Sequence, residues 1–171
     1  FHCSDCDHWF SNLTPDIEKS DNPRNQFELS SYQHTRTSNY LKILKVLTRK
    51  CKVGSSLLEV GCADGMFLEL AREKFQFRAL GIEPNTKMPA DNPFNQDIII
   101  GSFPEVLVGD HGKYDAIALN CALEYSTDVN RYIDDLKHYL ASGGVIAIRV
   151  PVSSGLMFRV ARGLNRVSYT H

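Results

Sequence analysis

Apolar residues along this chain follow two different patterns, helical spacing and short continuous runs. From about residue 37 to residue 50, apolar side chains recur three and four positions apart, which predicts a helix with one buried face. Later stretches are short aliphatic runs of the kind that form strands covered on both sides. The predicted strands are 57–60, 78–82, 97–100, 115–120 and 145–150.

Helical spacing returns between these strands, from about 65 to 74 and from about 129 to 140. Alternation of strands with helices is typical of a parallel sheet that has helices on both faces. The pattern therefore predicts an α/β fold: a doubly wound, Rossmann-like domain at residues 37–152, with a parallel sheet of about five strands.

The two ends of the chain differ from this central pattern. Residues 1–36 are polar with scattered apolar groups, which predicts an extended N-terminal arm. Residues 153–171 combine apolar residues with arginines, which predicts an amphipathic tail or lid. Because the chain does not begin with methionine, we expect its N-terminus to be internal to a longer protein or trimmed.

Composition and charge argue against several classes of function. The net charge of −1 provides no field that would attract nucleic acid, so no nucleic-acid partner is expected. No apolar run approaches the roughly 20 residues of a membrane helix, so no membrane span is expected. Five cysteines in no regular framework argue against a disulfide-bonded secreted protein and predict a cytoplasmic location.

A turn of small residues follows the first predicted strand and leads directly into a helix. Gly61, Ala63 and Gly65 leave no bulky side chain in the way, so backbone N–H groups can approach a polar ligand at the helix N-terminus. Dinucleotide sites require small residues at positions one, three and six of such a turn. The sixth position here is Met66, which is too bulky, so the spacing favours a different ligand.

This turn resembles the first motif of class I S-adenosylmethionine-dependent methyltransferases: an acidic residue, one spacer, then G-x-G-x-G. Glu59 stands in the place of the acid, and Ala63 replaces the middle glycine. Four further segments resemble later landmarks of the family, in the family's order: 79–85, 115–120, 123–125 and 140–151. The resemblance covers about residues 55–151 and implies S-adenosylmethionine as the cofactor.

The resemblance also implies which residues hold the methionine end of the cofactor. These are the acid before the turn and the turn itself: Glu59, Gly61, Cys62, Ala63, Asp64 and Gly65. The start of the helix after Gly65 suits a carboxylate. Asp64 has an alternative interpretation as the cap of that helix.

Three other segments would contact the remainder of the cofactor. Glu83, followed by Pro84, ends the second predicted strand, where a carboxylate can accept hydrogen bonds from both ribose hydroxyls. Ser102 and Phe103 occupy the position at which family members contact adenine, although Phe103 suits a buried core nearly as well. Asn120 ends the fourth predicted strand, at the edge where ligands collect in open α/β sheets.

Methyl transfer is an in-line displacement at a sulfonium carbon, so the protein's main task is to align the acceptor and exclude water. A general base is needed only where the acceptor must lose a proton. Glu124, Tyr125 and His34 are the candidate bases, and each also suits a cap, rim or core position. Relatives often carry Glu-His where this chain has Glu124-Tyr125, which leaves the role of that pair open.

Cys3 and Cys6 are separated by two residues and lie close to His2 and His8, a spacing typical of metal ligands. A structural zinc ion needs four ligands, so the two cysteines would supply half of a zinc module. Methyltransferases that this chain resembles, sugar methyltransferases among them, include members with such an N-terminal arm. The alternative is a pair of free thiols.

The chain is thus predicted to be an S-adenosylmethionine-dependent methyltransferase with a small-molecule or saccharide-type acceptor. Two alternatives share part of the pattern: an NAD-dependent oxidoreductase or epimerase, and a non-catalytic remnant of the methyltransferase fold that serves as a binding module. The family fold usually has two more strands after the fifth. No segment after residue 150 resembles them, so we expect strands six and seven to be missing.

Overall fold

The computed structural model describes residues 26–85, 95–107 and 112–151 of the 171-residue chain. The helices and strands all belong to one compact unit, Asn25–Val150. Most of the predicted N-terminal arm and the whole predicted tail at 153–171 lie outside the described residues.

Five strands and three α-helices form this unit, and each corresponds to a predicted element. The strands are β1 (Ser56–Val60), β2 (Arg78–Glu83), β3 (Ile98–Ile100), β4 (Tyr114–Asn120) and β5 (Leu140–Arg149). The helices are α1 (Gln26–Leu47), α2 (Met66–Phe75) and α3 (Val129–His138).

The five strands form one sheet in the order β3-β2-β1-β4-β5, and every neighbouring pair is parallel. The predicted α/β, Rossmann-like fold is therefore confirmed. After β3 the chain crosses back over the sheet, so β4 lies on the opposite side of β1 from β2. In open sheets of this kind the crevice for a ligand lies at the carboxyl ends of the strands on either side of such a reversal.

Side chains on the two faces of the sheet form two separate core clusters. Tyr40 of α1 and Phe67 of α2 pack edge to face at 5.2 Å on one face, with Leu57 and Ala116 beneath them. The opposite face packs against α3 through Leu136, which is fully buried. Burial of these apolar side chains on both faces stabilises the central strands and holds the ends of β1 and β4 in place.

Two element boundaries differ from the sequence-based expectation. Helix α1 begins at Gln26 rather than near residue 37, so residues 26–36 are helical and not extended. Their polar composition hides the helix, because they supply little of the apolar spacing on which the prediction depends. Strand β5 begins at Leu140 rather than at the predicted Val145. The residues between these two positions lie in an irregular part of the pairing of β5 with β4.

Gly144 lies inside that irregularity. A Cβ atom at this position would lie 2.9 Å from the carbonyl oxygen of Ala141 and 3.0 Å from that of Asp115. The glycine therefore permits a close approach of β5 to β4, which explains why a strand-breaking residue is present within a strand.

Candidate functional site

Among the residues whose burial is described, three polar side chains are buried, and all three are at the crevice. Glu59 is 1% exposed, Glu83 is 6% exposed and Asn120 is 8% exposed. They lie at the carboxyl ends of three adjacent strands, β1, β2 and β4. Polar groups are rarely buried without a partner, so their convergence at one edge marks this edge as the candidate site.

The register of the sheet explains how Glu59 fits there. Glu59 pairs with Gly81 on β2 and with Ala118 on β4. Because side chains alternate along a strand, these residues share one face, and two small neighbours leave room for the carboxyl group. Glu83 and Asn120 lie two residues further along and on the same face, so the three polar side chains continue the face that packs α1 and α2.

The turn after β1 has a backbone conformation that few residue types adopt easily. Gly61, Ala63 and Gly65 have φ angles of 78°, 49° and 81°. A Cβ atom on Gly61 would lie 2.9 Å from the Cβ atom of Ala122, so the position requires glycine for both conformation and space. Ala63 is exposed, and its left-handed conformation costs roughly 1–2 kcal/mol.

Glu83 anchors this turn from the neighbouring strand. Its Oε2 accepts a hydrogen bond from the Ala63 N–H at 2.8 Å, and its Oε1 accepts one from the Asn85 N–H at 2.9 Å. Each carboxylate oxygen has two lone pairs, so both keep the capacity to accept a hydroxyl donor. Pro84, the next residue, is exposed.

Glu59 and Asn120 share a single hydrogen bond, from Asn120 Nδ2 to Glu59 Oε1 at 2.9 Å. The other oxygen of each side chain, Glu59 Oε2 and Asn120 Oδ1, is buried and has no hydrogen-bond partner among the described residues. Burial raises the pKa of Glu59 to about 8, although the bond from Asn120 and the charge of Arg36 act in the opposite direction.

Helix α1 reaches the turn through Arg36, a contact that sequence reasoning missed. The guanidinium binds both carboxylate oxygens of Asp64, at 2.7 and 2.9 Å, and its Nε donates to the Tyr40 hydroxyl at 3.2 Å. Burial alone would raise the pKa of Asp64, but the bonds and charge of Arg36 lower it. Asp64 also accepts from the Met66 N–H at 3.3 Å, so the alternative interpretation as a helix cap has structural support.

Two of the predicted cofactor residues place their side chains in the core. Cys62 is buried, and burial together with the carboxyl groups of Glu59 and Glu83 raises the pKa of its thiol. Phe103 is 7% exposed and packs edge to face with Tyr132 at 5.3 Å and with Tyr139 at 5.6 Å. Both residues can therefore present their backbones to a ligand more readily than their side chains.

The remaining predicted residues lie at the surface. Ser102 is exposed in the segment after β3. Glu124 and Tyr125 are exposed in a short 3-10 helix, Leu123–Tyr125, that follows β4 at the same edge as Asn120. His34 is exposed on α1. The assignment of Glu124, Tyr125 or His34 as a base therefore stays a prediction.

The predicted zinc ligands Cys3 and Cys6 lie outside the described residues. Within the described part of the chain, no cluster of three or more histidine, cysteine or acidic side chains could hold a metal ion. Over the same residues, no helix combines the length and the apolar character needed to cross a membrane.

Solved methyltransferase structures have a similar fold. CalS10 is an amino pentose methyltransferase from Micromonospora echinaspora, solved with S-adenosylmethionine bound; its TM-score is 0.58 at 17% identity over 77% of this chain and 59% of its own. The plantazolicin methyltransferase BpumL, solved with a monoazolic desmethylPZN analogue and SAH, has a TM-score of 0.59 at 19% identity over 84% of this chain and 58% of its own. The sugar N-methyltransferase KedS8 from Streptoalloteichus has a TM-score of 0.55 at 17% identity over 84% of this chain and 60% of its own.

The chain thus spans about three fifths of the length of these structures, and at such identities the likeness shows the fold. No curated protein sequence gives a match. A family model described as a methyltransferase domain matches residues 32–171, which is most of the chain and includes the turn, Glu83 and Asn120. The chain therefore belongs to the methyltransferase domain family.

Proposed function

We propose that this domain binds S-adenosylmethionine at the carboxyl ends of β1, β2 and β4 and transfers its methyl group to a small-molecule or saccharide-type acceptor. The observation that carries the proposal is the convergence of three buried polar side chains on a glycine-containing turn. Two of these side chains, Glu59 and Asn120, each keep a buried oxygen that has no hydrogen-bond partner among the described residues. Such oxygens are rare in a folded protein and fit a polar ligand that donates hydrogen bonds.

The residues present fit the parts of this cofactor. Glu59 and Asn120 would hold the amino-acid end together with the backbone of the turn Gly61–Gly65. Glu83, which the Ala63 and Asn85 N–H groups hold in a fixed orientation, would accept hydrogen bonds from the ribose hydroxyls. Ser102 and the backbone of Phe103 would flank the adenine from the end of β3, and Pro84 would lie beside the ribose.

The bound cofactor would supply an electrophilic methyl group, so the protein's contribution is alignment and exclusion of water. The exposed segment that contains Glu124 and Tyr125 follows β4 directly, which makes these two residues the best-placed candidates to contact an acceptor. His34 on α1 is a third candidate. The proteins of similar fold are named as methyltransferases of an amino pentose, a sugar and plantazolicin. These names support a small-molecule or saccharide-type acceptor.

Two further assignments belong to this proposal. Cys3 and Cys6 would supply two of the four ligands of a structural zinc ion. Cys51, Cys62 and Cys121 are free thiols in the structure, and free thiols persist in the reducing cytoplasm, which is where we place the protein.

Isothermal titration with S-adenosylhomocysteine and, in parallel, with NAD tests the cofactor assignment. We expect heat of binding with S-adenosylhomocysteine and none with NAD. Heat with NAD alone would support an oxidoreductase or epimerase, and no heat with either ligand would leave only a binding module without these cofactors. The protein used should be the full-length chain, because this sequence spans only part of the length of its structural relatives.

A further inference from the structure

Arg149 is the last residue of β5 and lies at the same edge of the sheet as the three buried polar side chains. It pairs with Asn120 across the two strands, and its carbonyl oxygen accepts a hydrogen bond from the Cys121 N–H at 2.8 Å. Val145 and Ala147, which precede it at alternate positions, pack against the core cluster formed with α1 and α2. Because side chains alternate along a strand, Arg149 lies on the face that also carries Asn120.

Arg149 is half-buried, and its guanidinium group forms no hydrogen bond or ion pair within the described residues. Arg36, by contrast, has both oxygens of Asp64 as partners. Burial raises the pKa of the Cys121 thiol, the charge of Arg149 lowers it and the charge of Glu124 raises it, so both charged side chains lie near this thiol. An arginine that is partly withdrawn from water and has no carboxylate partner in the described structure is suited to hold an anion from outside the protein.

This guanidinium group lies one strand beyond the proposed cofactor site. The cofactor would occupy the ends of β1, β2 and β4, and β5 follows β4 in the sheet, on the side away from β2. Adjacent strands are about 4.8 Å apart, so a group bound to Arg149 would lie beside the cofactor and not in the place of its ribose or adenine. The exposed 3-10 helix Leu123–Tyr125 borders the same edge. A molecule held there could reach the cofactor's methyl group, so Arg149 lies on the acceptor's side of the site.

We propose that the guanidinium group of Arg149 binds a carboxylate or phosphate group of the methyl acceptor and so selects acidic acceptors. The inference rests on the proposed function and narrows its acceptor to small molecules or saccharides that carry an anionic group. Arginine presents N–H groups in a planar fork that matches two oxygens of either group, whereas a neutral hydroxyl gains little from it. The net charge of the whole chain, −1, offers no long-range attraction for an acidic molecule, so the recognition is local.

Anion binding at Arg149 is measurable without knowledge of the acceptor. The Nε–Hε signal of Arg149, assigned through the backbone of nitrogen-15-labelled full-length protein, is followed while inorganic phosphate or acetate is added. S-Adenosylhomocysteine is present throughout, so that its own carboxylate occupies the cofactor site. We expect a saturable shift with at least one of the two anions, and the tighter one tells whether the acceptor carries a phosphate or a carboxylate.

The control in this titration is Arg49, which is exposed beyond the end of α1. Its signal should shift no more with phosphate or acetate than with chloride at the same ionic strength. The absence of a saturable shift of the Arg149 signal with both anions would overturn the proposal.

Two variants separate binding of the acceptor from binding of the cofactor. Arg149→Gln should abolish the anion binding but leave the affinity for S-adenosylhomocysteine, measured by calorimetry, within about twofold. A tenfold loss of that affinity would place Arg149 at the cofactor's own carboxylate and would overturn the proposal. Arg149→Lys keeps the charge but loses the fork, so it should retain only part of the anion affinity.

Transfer of a labelled methyl group tests the selection itself. The full-length protein receives methyl-labelled S-adenosylmethionine together with pools of phosphorylated, carboxylated or neutral saccharides. We expect label in an acidic pool, and Arg149→Gln should raise KM for it by about 10- to 100-fold with a smaller change in kcat, because a charged hydrogen-bonded contact is lost. Arg49→Gln should change neither constant. Label in the neutral pool, at a rate that Arg149→Gln leaves unchanged, would overturn the proposal; where no pool is labelled, the anion titration decides.

The failures of the two proposals are distinguishable. If S-adenosylhomocysteine does not bind to the full-length protein, the proposed function falls and this inference falls with it. If it binds but neither anion shifts the Arg149 signal, the proposed function stands and only the acidic acceptor is wrong.

Discussion

At the amino end of the β1–β4 pair, Ser56 and Asp115 exchange three hydrogen bonds; at the carboxyl end, Glu59 and Asn120 share one. The Ser56 N–H and Oγ donate to Asp115 Oδ2 at 2.7 and 2.9 Å, and the Asp115 N–H donates back to Ser56 Oγ at 3.1 Å. These bonds lower the pKa of Asp115, whereas burial raises that of Glu59 to about 8.

Both ends therefore pair a carboxyl group with a small polar side chain across the same two strands, with opposite results. At the amino end, Asp115 finds its hydrogen-bond partners within the protein, and these bonds hold β1 and β4 together. The carboxyl end leaves two buried oxygens without a partner in the described structure, which costs folding free energy. We infer that such an arrangement is retained for a ligand that completes it, so the comparison separates a structural end from the proposed ligand-binding end.

The largest expected effect is on the stability of the ligand-free protein. In Glu59 the folded-state pKa of about 8 lies above the ordinary value of 4.5, so the folded state binds the extra proton and stability falls as the pH rises between these values. Glu59→Gln removes this loss and should raise the free energy of unfolding at pH 8 by on the order of 3 kcal/mol. The gain should vanish near pH 5. Urea denaturation at the two pH values measures it.

Asp115→Asn is the matched control at the other end of the strands. The folded-state pKa of Asp115 is lowered below its ordinary value of 3.8, so its stabilisation is present above that value and is lost as the pH falls through the folded-state pKa. The variant should lose about 1 kcal/mol at pH 7, because Asp115 is only partly buried. If both variants shifted stability in the same direction at pH 8, the two ends would not differ as described.

Glu83→Ala should weaken binding of S-adenosylhomocysteine by about 2 kcal/mol, close to 30-fold, because the Ala63 N–H loses its acceptor and, under the proposed function, so do the ribose hydroxyls. Titration calorimetry measures the affinity. Asp115→Asn, at the opposite end of the sheet, should change it less than threefold. Unchanged affinity in a folded Glu83→Ala variant would refute the ribose assignment.

The smallest expected effect concerns the contact between α1 and the turn. A double-mutant cycle with Arg36→Gln and Asp64→Asn should give a coupling free energy of about 1 kcal/mol, because Arg36 is 14% exposed and binds both oxygens of Asp64. The ion pair Lys137–Asp134 on α3 is exposed at both partners and is the control. Its coupling should be a few tenths of a kcal/mol. Equal coupling free energies in the two pairs would show that the contact between Arg36 and Asp64 contributes no more than an exposed ion pair.

Most of the sheet was predictable from the sequence because its strands are covered on both faces. Strands of that kind must be apolar throughout, and the boundaries predicted for β1, β2 and β4 agree with the structure to within one residue. Helix α1 was predicted too short, since its first residues are polar and carry no periodic signal. The same helix holds Arg36, whose contact with Asp64 spans 28 positions of sequence and has no local pattern to reveal it.

The sequence by itself determined the fold class, the small-residue turn and the acidic residues on either side of it, because these depend on local patterns of size, polarity and spacing. Only the tertiary structure decided what those residues do to one another. It placed Glu59 between Gly81 and Ala118, paired it with Asn120, and left two of their oxygens buried without a partner in the described residues. Burial and hydrogen bonding are properties of the surroundings and not of the residue, so the pKa of Glu59 could not be inferred before those surroundings were known.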